Sequence, residues 1–275
     1  METKRLILAV LFLIPFGMKA QFDPEYIAID SANLVVMYEL NYKEDTTMIQ
    51  YHKQEKMILL IGDTLSCFQS NGHYVSDKMW KNGAWQQMIT EGTIRPTADM
   101  ITAFHYYILK RKKTATITVL DYVFMTGAFE YEESMNMFDW KITSETDEYQ
   151  GFIIQKAVTS FGGRDWEAWF APGLPFNDGP YKFCGLPGLI VKIADKQNHY
   201  NFKMLSIEKP LERTPIEISD KIRTKTTKMK FFKVDDDCRD NILENAKSIG
   251  NSNETSQKLA KGMQAKNNPI ELDRK

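Results

Sequence analysis

Alternation of apolar and polar residues runs through much of the chain and predicts strands. From Leu34 to Tyr42 every second residue is aliphatic or aromatic, which is the period of a strand with a buried face. Short apolar runs at 57–61 and 65–68 have the length of further strands. The sequence therefore predicts a mainly β (α+β) fold, a curved, largely antiparallel sheet or half-open barrel with short helical insertions.

Two pairs of strand-like segments are separated by loops that allow only a hairpin. Phe152–Phe161 and Arg164–Phe170 are joined by Gly162-Gly163, and two glycines tolerate the positive φ angles of a tight hairpin turn. Leu189–Ala194 and Tyr200–Ile207 are joined by a short polar loop. Both pairs must be antiparallel, because so short a connection cannot cross over the sheet.

Helical patterns lie between the early strands and at the C-terminal end. Residues 74–85 predict a short helix inserted between strands. Asp235-Asp236-Asp237 are expected to begin a second helix that ends before Gly250, since carboxylates favour the start of a helix and glycine its end. With a third helix over 254–265, a C-terminal helical segment of about 235–266 is predicted.

The N-terminus has the organisation of a secretory signal peptide. Two basic residues precede an apolar run from Leu6 to Phe16, which is shorter than the roughly 20 residues that span a bilayer. We expect cleavage after Ala20, so that residues 1–20 are removed and 21–275 form a single domain. The mature protein is then a soluble periplasmic or extracellular protein without a membrane span.

The charge balance argues against a nucleic acid partner. The chain has 35 basic and 36 acidic side chains, and loss of the basic N-terminal segment leaves it slightly more acidic. One basic cluster, Lys110–Lys113, lies between two strand-like runs. It predicts a solvated hairpin turn.

Three cysteines are too few for a disulfide framework, so at most one bridge can form. Cys67 and Cys184 are the pair that we consider. Cys238 precedes Ile242 and Ala246 on one helical stripe, and we expect it to be buried and unreactive.

Sequence motifs typical of enzymes are absent. The chain has no Gly-x-Ser-x-Gly, no His-Glu-x-x-His and no phosphate-binding glycine loop. Its four histidines are far apart in sequence, without a partner at metal-ligand spacing. We therefore predict no catalytic residue, no metal and no cofactor, and a non-catalytic protein is favoured over an enzyme.

A loop of residues 172–188, with four prolines and four glycines, lies between the two hairpins. Loops longer than about 12–15 residues are uncommon within a compact domain and are often functional or self-packed. Pro187-Gly188 has the composition of a type II turn. The structural motif in and after this loop comprises Gly179, Pro180, Gly185, Leu186, Pro187, Gly188, Leu189 and Ile190.

Aromatic residues in and beside this loop are candidates for binding. By strand alternation Trp166 faces the core and Trp169 faces the other side. Tyr181 and Phe183 lie in the loop, and we expect part of each ring to be exposed. The candidate ligand or partner contacts are Arg164, Trp166, Trp169, Phe176, Tyr181 and Phe183. The alternative is that the whole motif is a corner required for folding.

Residues Gly185–Ile190 read GLPGLI, and the chain resembles the GLPGLI family of exported bacterial proteins. The resemblance extends from near Leu34 to the ending Asn268–Leu272 and is densest over Trp140–Asp195. It implies an exported protein of Bacteroidota, often found among outer-membrane and nutrient-uptake neighbours, whose activity is unassigned.

Three hypotheses about function remain open. The first is a periplasmic binding or accessory protein whose curved sheet takes an apolar ligand, a lipid or a peptide. The second is a partner of an outer-membrane transporter of the TonB-dependent type, with the loop of residues 172–188 as contact. The third is an unrecognised hydrolase. An apolar pocket favours the first, a flat exposed aromatic patch the second, and convergent carboxylates or a His–carboxylate pair the third.

Overall fold

The computed structural model describes residues 25–48, 52–93, 97, 100–248 and 253–274. The predicted signal peptide lies outside the described residues. Within them, thirteen strands belong to one sheet. The strands are β1 (Tyr26–Tyr42), β2 (Lys53–Gly62), β3 (Leu65–Ser70), β4 (Tyr107–Arg111), β5 (Thr116–Val123), β6 (Gly127–Ser134), β7 (Lys141–Tyr149), β8 (Phe152–Phe161), β9 (Arg164–Ala171), β10 (Leu189–Asp195), β11 (Tyr200–Glu208), β12 (Thr214–Ser219) and β13 (Thr224–Lys225).

Five α-helices are described, together with a 3₁₀ turn at Met135–Met137. The helices are α1 (Asn71–Lys81), α2 (Ala84–Glu91), α3 (Lys228–Asp240), α4 (Ile242–Ser248) and α5 (Asn253–Gln264). The helix expected at 74–85 is thus two helices, and α1 begins earlier because Ser70 caps it, accepting a hydrogen bond from the Gly72 N–H at 3.0 Å.

The sheet is open, with strand order β13-β6-β5-β4-β3-β2-β1-β11-β10-β9-β8-β7, and β12 pairs with the first part of β1. Neighbouring strands are antiparallel except β13, which is parallel to β6. The predicted fold class, a mainly β and largely antiparallel sheet with short helices, is therefore confirmed.

Both predicted hairpins are present. β8 and β9 are joined by Gly162 and Gly163, whose φ angles of +62° and +72° are those that glycine tolerates best. β10 and β11 pair through the polar loop, where the Asp195 carboxylate accepts the Tyr200 N–H at 2.6 Å. These elements form where the sequence predicts them, because local turn chemistry is sufficient to specify them.

Each face of the sheet has its own core. The larger core, which we call the inner core, contains Tyr38, Phe68, Trp166 and Phe202 among other residues. The smaller core lies on the opposite face, where Ile216 of β12 packs with strand residues such as Leu60. The face prediction for β9 is confirmed, because Trp166 is buried in the inner core while Glu167 on the other side is exposed.

The three aspartates at 235–237 do not begin a helix, contrary to the sequence prediction. Helix α3 begins seven residues earlier, at Lys228 after the N-cap Thr227, and therefore places the aspartates near its C-terminus. Carboxylates are unfavourable there, and guanidinium groups compensate them. Asp235 accepts from Arg239 at 2.8 Å and from Arg274 at 2.6 Å. The helix predicted over 254–265 is confirmed as α5.

All three cysteines are buried and none is in a disulfide. Cys67 lies in the smaller core and Cys184 in the inner core, so the pair considered from the sequence is separated by the sheet. Burial raises the pKa of the Cys67 thiol to about 12. The predicted burial of Cys238 is confirmed, since it packs in the inner core.

Candidate functional site

The loop of residues 172–188, which we call the plug loop, packs into the inner core. Phe183 is fully buried, with its ring centroid 4.7 Å from that of Trp166 and 5.4 Å from that of Phe138. Tyr181 is also buried. The expectation that these two rings are partly exposed is therefore wrong. Their apolar surface is sufficient to hold the loop against the sheet, as burial of aromatic rings is strongly favourable.

Gly188 is required by close packing and not by a type II turn. Its φ of +158° is far from the value of about +80° at the second central residue of such a turn, so the predicted turn is wrong. A Cβ atom at Gly188 would lie 2.3 Å from the carbonyl oxygen of Ala171 in β9. The left-handed glycine of the motif is instead Gly185, with φ +94°.

Lys110 anchors the plug loop to β4. Its side chain is fully buried, and Nζ donates to the Asp178 carboxylate at 2.6 Å and to the carbonyl oxygens of Gly179 and Phe183 at 2.5 and 3.1 Å. The prediction that Lys110 lies in a solvated turn is wrong, because the turn begins after β4 has ended at Arg111. A buried ammonium requires such partners.

A second buried lysine, Lys182, joins the plug loop to β6 and to the C-terminal end. It forms ion pairs with Glu133 of β6 and with Glu271, whose Oε1 is 2.5 Å from Nζ. Lys228 of α3 pairs with the other oxygen of Glu271 at 2.5 Å. Burial opposes ionisation of Glu271, but the two lysines outweigh it and lower the pKa of this carboxyl below its usual value. The cluster thus ties the plug loop, β6, α3 and the C-terminal end together through ion pairs.

Residues 268–272, which we call the C-terminal tail, lie against the start of β9. The guanidinium of Arg164 donates to the carbonyl oxygens of Ile270 and Pro269 at 2.9 and 2.7 Å and to the Asn268 side chain at 2.6 Å. Its remaining nitrogen, Nη1, pairs with the Asp195 carboxylate at 3.0 Å and lies 3.4 Å from Nδ1 of His199. The candidate contact Arg164 is therefore occupied by the chain's own tail.

The glycine turn between β8 and β9 also receives the tail. Leu272 N–H donates to the Gly162 carbonyl oxygen at 2.7 Å, and a Cβ atom at Gly162 would lie 2.9 Å from Cγ of Glu271. Glycine at this position therefore serves both the turn geometry and the approach of the tail.

A cleft of about 520 Å³ opens between β5, β6, the segment before β4, the tail, α3 and α5. Aromatic side chains form a large part of its walls, and Leu259 and Met263 of α5 close one side. The aromatic lining residues include Phe104, Tyr106, Tyr131, Tyr181, Phe231 and Phe232. A cleft of this size and lining has the properties of a small-molecule site.

Asp121 of β5 differs from the other carboxylates that line the cleft. Glu44 pairs with Lys266 at 3.3 Å, and Asp235 pairs with two arginines. Asp121 accepts the N–H of Tyr122 at 2.7 Å, and among the described residues it has no ion pair. Burial raises the pKa of Asp121 to about 7, and the charge of Asp235 contributes in the same direction.

A second cleft, of about 310 Å³, shares Asp121, Tyr122 and His105 with the first. It extends towards His73 and Arg223. Asp121 therefore lies where the two clefts meet.

The structure separates the six candidate residues that the sequence indicates. Tyr181 lines the aromatic cleft, Arg164 holds the tail, and Trp166 and Phe183 belong to the core. Phe176 packs at the edge of the inner core. Trp169 is half-buried and also packs against the inner core, and the ammonium groups of Lys156 and Lys192 lie 5.9 and 5.1 Å from its ring centroid.

Sequence reasoning missed Asp121, Phe231 and Phe232. One signal was present, because Asp121 is a single carboxylate in the otherwise apolar and aromatic run from Val119 to Val123. The phenylalanines of α3 gave no comparable signal, since a pair of aromatic residues on a helix usually belongs to the core.

A family model described as a protein of unknown function (Porph_ging) matches residues 113–192. The matched stretch includes the Gly185–Ile190 motif. It supports a family of unassigned function over this part of the chain. No curated protein is significantly similar.

Two solved structures of PNGF-II are similar to the chain. The structure in space group P21 has a TM-score of 0.50 at 14% identity, covering 76% of this chain and 34% of PNGF-II. The structure in space group C2 has a TM-score of 0.49 at 15% identity, covering 75% and 33%. This chain therefore spans about a third of the length of PNGF-II, and the likeness concerns the fold alone.

Two further properties concern the described part of the chain. None of its helices combines the length and the apolar character needed to cross a bilayer. No group of three or more His, Cys, Asp or Glu side chains in it has an arrangement that could hold a metal ion.

Proposed function

We propose that the protein is a non-catalytic binding protein that takes a largely apolar ligand in the aromatic cleft. The observation that carries this proposal is the cleft itself, whose volume of about 520 Å³ lies within the roughly 300–1,000 Å³ of typical ligand sites. Export through the N-terminal signal segment and action in the periplasm or outside the cell are part of the same proposal.

The walls of the cleft favour a ligand with a flat or branched apolar group, such as an aromatic ring or the side chain of a peptide. Tyr131 comes from β6 and Tyr106 directly precedes β4, while Phe231 and Phe232 come from α3. Aromatic rings pack well on such surfaces at edge or offset-stacked angles. The sheet side of the cleft is held in place, because Nζ of the buried Lys182 in the plug loop donates to the hydroxyl of Tyr131 in β6 at 3.2 Å. A preformed site lowers the free-energy cost of binding.

The two rival hypotheses have less support. A transporter contact through the plug loop would need an exposed aromatic patch, but Tyr181 and Phe183 are buried. Hydrolysis by a His–carboxylate pair would need the two groups within hydrogen-bond reach. His105 and Asp121 line the same cleft, yet the structure gives no hydrogen bond between them among the described residues.

Binding of a neutral apolar probe, N-phenyl-1-naphthylamine, tests the proposal. Its fluorescence should rise with the wild-type protein, and Met263→Trp should weaken binding at least about fivefold, because the larger side chain narrows the cleft. Met229→Trp is the matched control, since Met229 lies on α3, is exposed and does not line the cleft. Absence of binding to the wild type, or equal binding by the two variants, would overturn the proposal.

A further inference from the structure

We propose that Asp121 is the anchor for a cationic amine, so that the cleft selects ligands that join a positively charged nitrogen to an apolar or aromatic group. This inference rests on the proposed function of the cleft and specifies the chemistry of its ligand. It is argued from the position of Asp121, from the pairing of its charged neighbours and from the aromatic rings around it.

The position of Asp121 directs its side chain to the ligand side of the sheet. Val119 and Asp121 are two residues apart in β5 and therefore project from the same face, and Val119 belongs to the inner core. Within the described part of the chain, the one hydrogen bond to the Asp121 carboxylate comes from the Tyr122 N–H. A carboxylate can accept about four hydrogen bonds, so Asp121 retains acceptor capacity that a ligand ammonium group can use.

Every basic side chain that lines this cleft is already paired. Arg239 and Arg274 pair with Asp235 at 2.8 and 2.6 Å, and Lys266 pairs with Glu44 at 3.3 Å. Glu271, the remaining carboxylate of the lining, is held by two lysines. Asp121 is therefore the carboxylate of the lining whose charge no described cation neutralises at close range.

The aromatic rings of the cleft already accept cations from the protein itself. The guanidinium of Arg274 lies 4.4 Å from the ring centroid of Phe232, and Nζ of Lys182 lies 5.1 Å from that of Tyr131. Faces of aromatic rings attract a cation within about 6 Å. A ligand ammonium at Asp121 would thus lie beside a carboxylate in a cleft lined by several aromatic rings.

The charge of Asp121 depends on its neighbours on every side. Burial has the largest effect on the pKa of Asp121 and raises it. The charge of Asp235 in α3 also raises this pKa, while the charges of Lys182 in the plug loop and of Arg274 lower it. Tyr122 and His105 complete the surroundings at the junction of the two clefts. Because the net effect raises the pKa of Asp121 to about 7, the carboxylate forms between about pH 6 and pH 8, and affinity for an amine should increase over that interval.

Three ligands of the same size and different charge test the inference by calorimetry: phenethylamine as the cation, 2-phenylethanol as the neutral compound and 3-phenylpropanoate as the anion. At pH 8 the wild type should bind phenethylamine at least about tenfold more tightly than 2-phenylethanol, as expected for one charge-assisted hydrogen bond. Asp121→Asn should remove this preference, so that phenethylamine and 2-phenylethanol bind about equally. Asp147→Asn, at an exposed site on β7, is the matched control and should retain the preference.

The outcomes separate the two proposals. If N-phenyl-1-naphthylamine and all three compounds fail to bind, the cleft is not a ligand site and both proposals are wrong. If the alcohol binds as tightly as the amine, or Asp121→Asn retains the preference, the amine anchor alone is wrong. A preference that weakens from pH 6 to pH 8 would also contradict it. Thermal unfolding of Asp121→Asn, which should be no lower than that of the wild type, excludes misfolding as the cause.

Discussion

At the scale of single residues, Gly188 illustrates how packing can require glycine. A Cβ atom there would lie 2.3 Å from the Ala171 carbonyl oxygen and 2.7 Å from its carbonyl carbon, and both belong to a backbone that is held in the sheet. We expect Gly188→Ala to lower the free energy of unfolding by about 1–3 kcal/mol, the usual cost of overpacking, as measured by urea denaturation.

Gly173 provides the control for this prediction. It lies in the same plug loop, is exposed, and a Cβ atom on it would have no atom within 4 Å. Gly173→Ala should therefore leave the urea midpoint almost unchanged. Equal midpoints for the Gly188→Ala and Gly173→Ala variants would show that the plug loop can move away from β9 at little cost.

At the scale of elements, the C-terminal tail depends on a buried carboxylate. Glu271 has a pKa below its usual value in the folded protein, so it stabilises the fold above the unfolded pKa of about 4.3, and this contribution is lost as the pH falls through the folded pKa. We expect Glu271→Gln to lower the free energy of unfolding at pH 7 by about 3 kcal/mol, because it leaves Lys182 and Lys228 short of a counter-charge.

The pH dependence distinguishes this effect from a simple loss of packing. The difference between wild type and Glu271→Gln should shrink as the pH is lowered below about 5, since the wild-type carboxyl becomes neutral as the pH falls through its lowered pKa. Glu254→Gln is the control, because Glu254 pairs with Lys258 on the exposed surface of α5 and such pairs contribute little. A constant difference across this pH range would show that the charge of Glu271 is not what holds the tail.

Elements whose geometry is set by residues close to one another in the sequence could be predicted. The β8–β9 hairpin follows from Gly162-Gly163, and α5 lies within one residue of its predicted limits. The plug loop could not be placed in the same way. Lys110 and Asp178 are 68 residues apart, and Lys182 and Glu271 are 89 apart, so nothing near Lys110 in the sequence indicates that it is buried.

The candidate site could be predicted only in part for the same reason. The sequence indicates Tyr181 because it lies in an unusual loop, and Tyr181 does line the cleft. The sequence also indicates Arg164, but its partner Asn268 is 104 residues away along the chain. The residues around Arg164 therefore give no sign that the tail binds it. The cleft itself is formed by segments that meet only in the folded chain.

At the scale of the whole molecule, the stretch that matches the family model is divided between two parts of the sheet. Residues 113–192 contain β5 and β6 together with β7–β9 and the start of β10. In the sheet, these two groups are separated by β4, β3, β2, β1 and β11. The central strand β1, which pairs with both β2 and β11, is outside the matched stretch.

We therefore expect a fragment of residues 113–192 not to fold alone. Without β1–β4 and β11 it lacks inner-core residues such as Tyr38, Phe68 and Phe202, and β5 and β10 each lose a hydrogen-bonded neighbour. Its amide protons should exchange rapidly and its heat denaturation should show no cooperative transition. Residues 25–275 should unfold in one transition, as expected of a single domain. A cooperative transition in the fragment would show that β5–β9 and the plug loop can form a domain of their own.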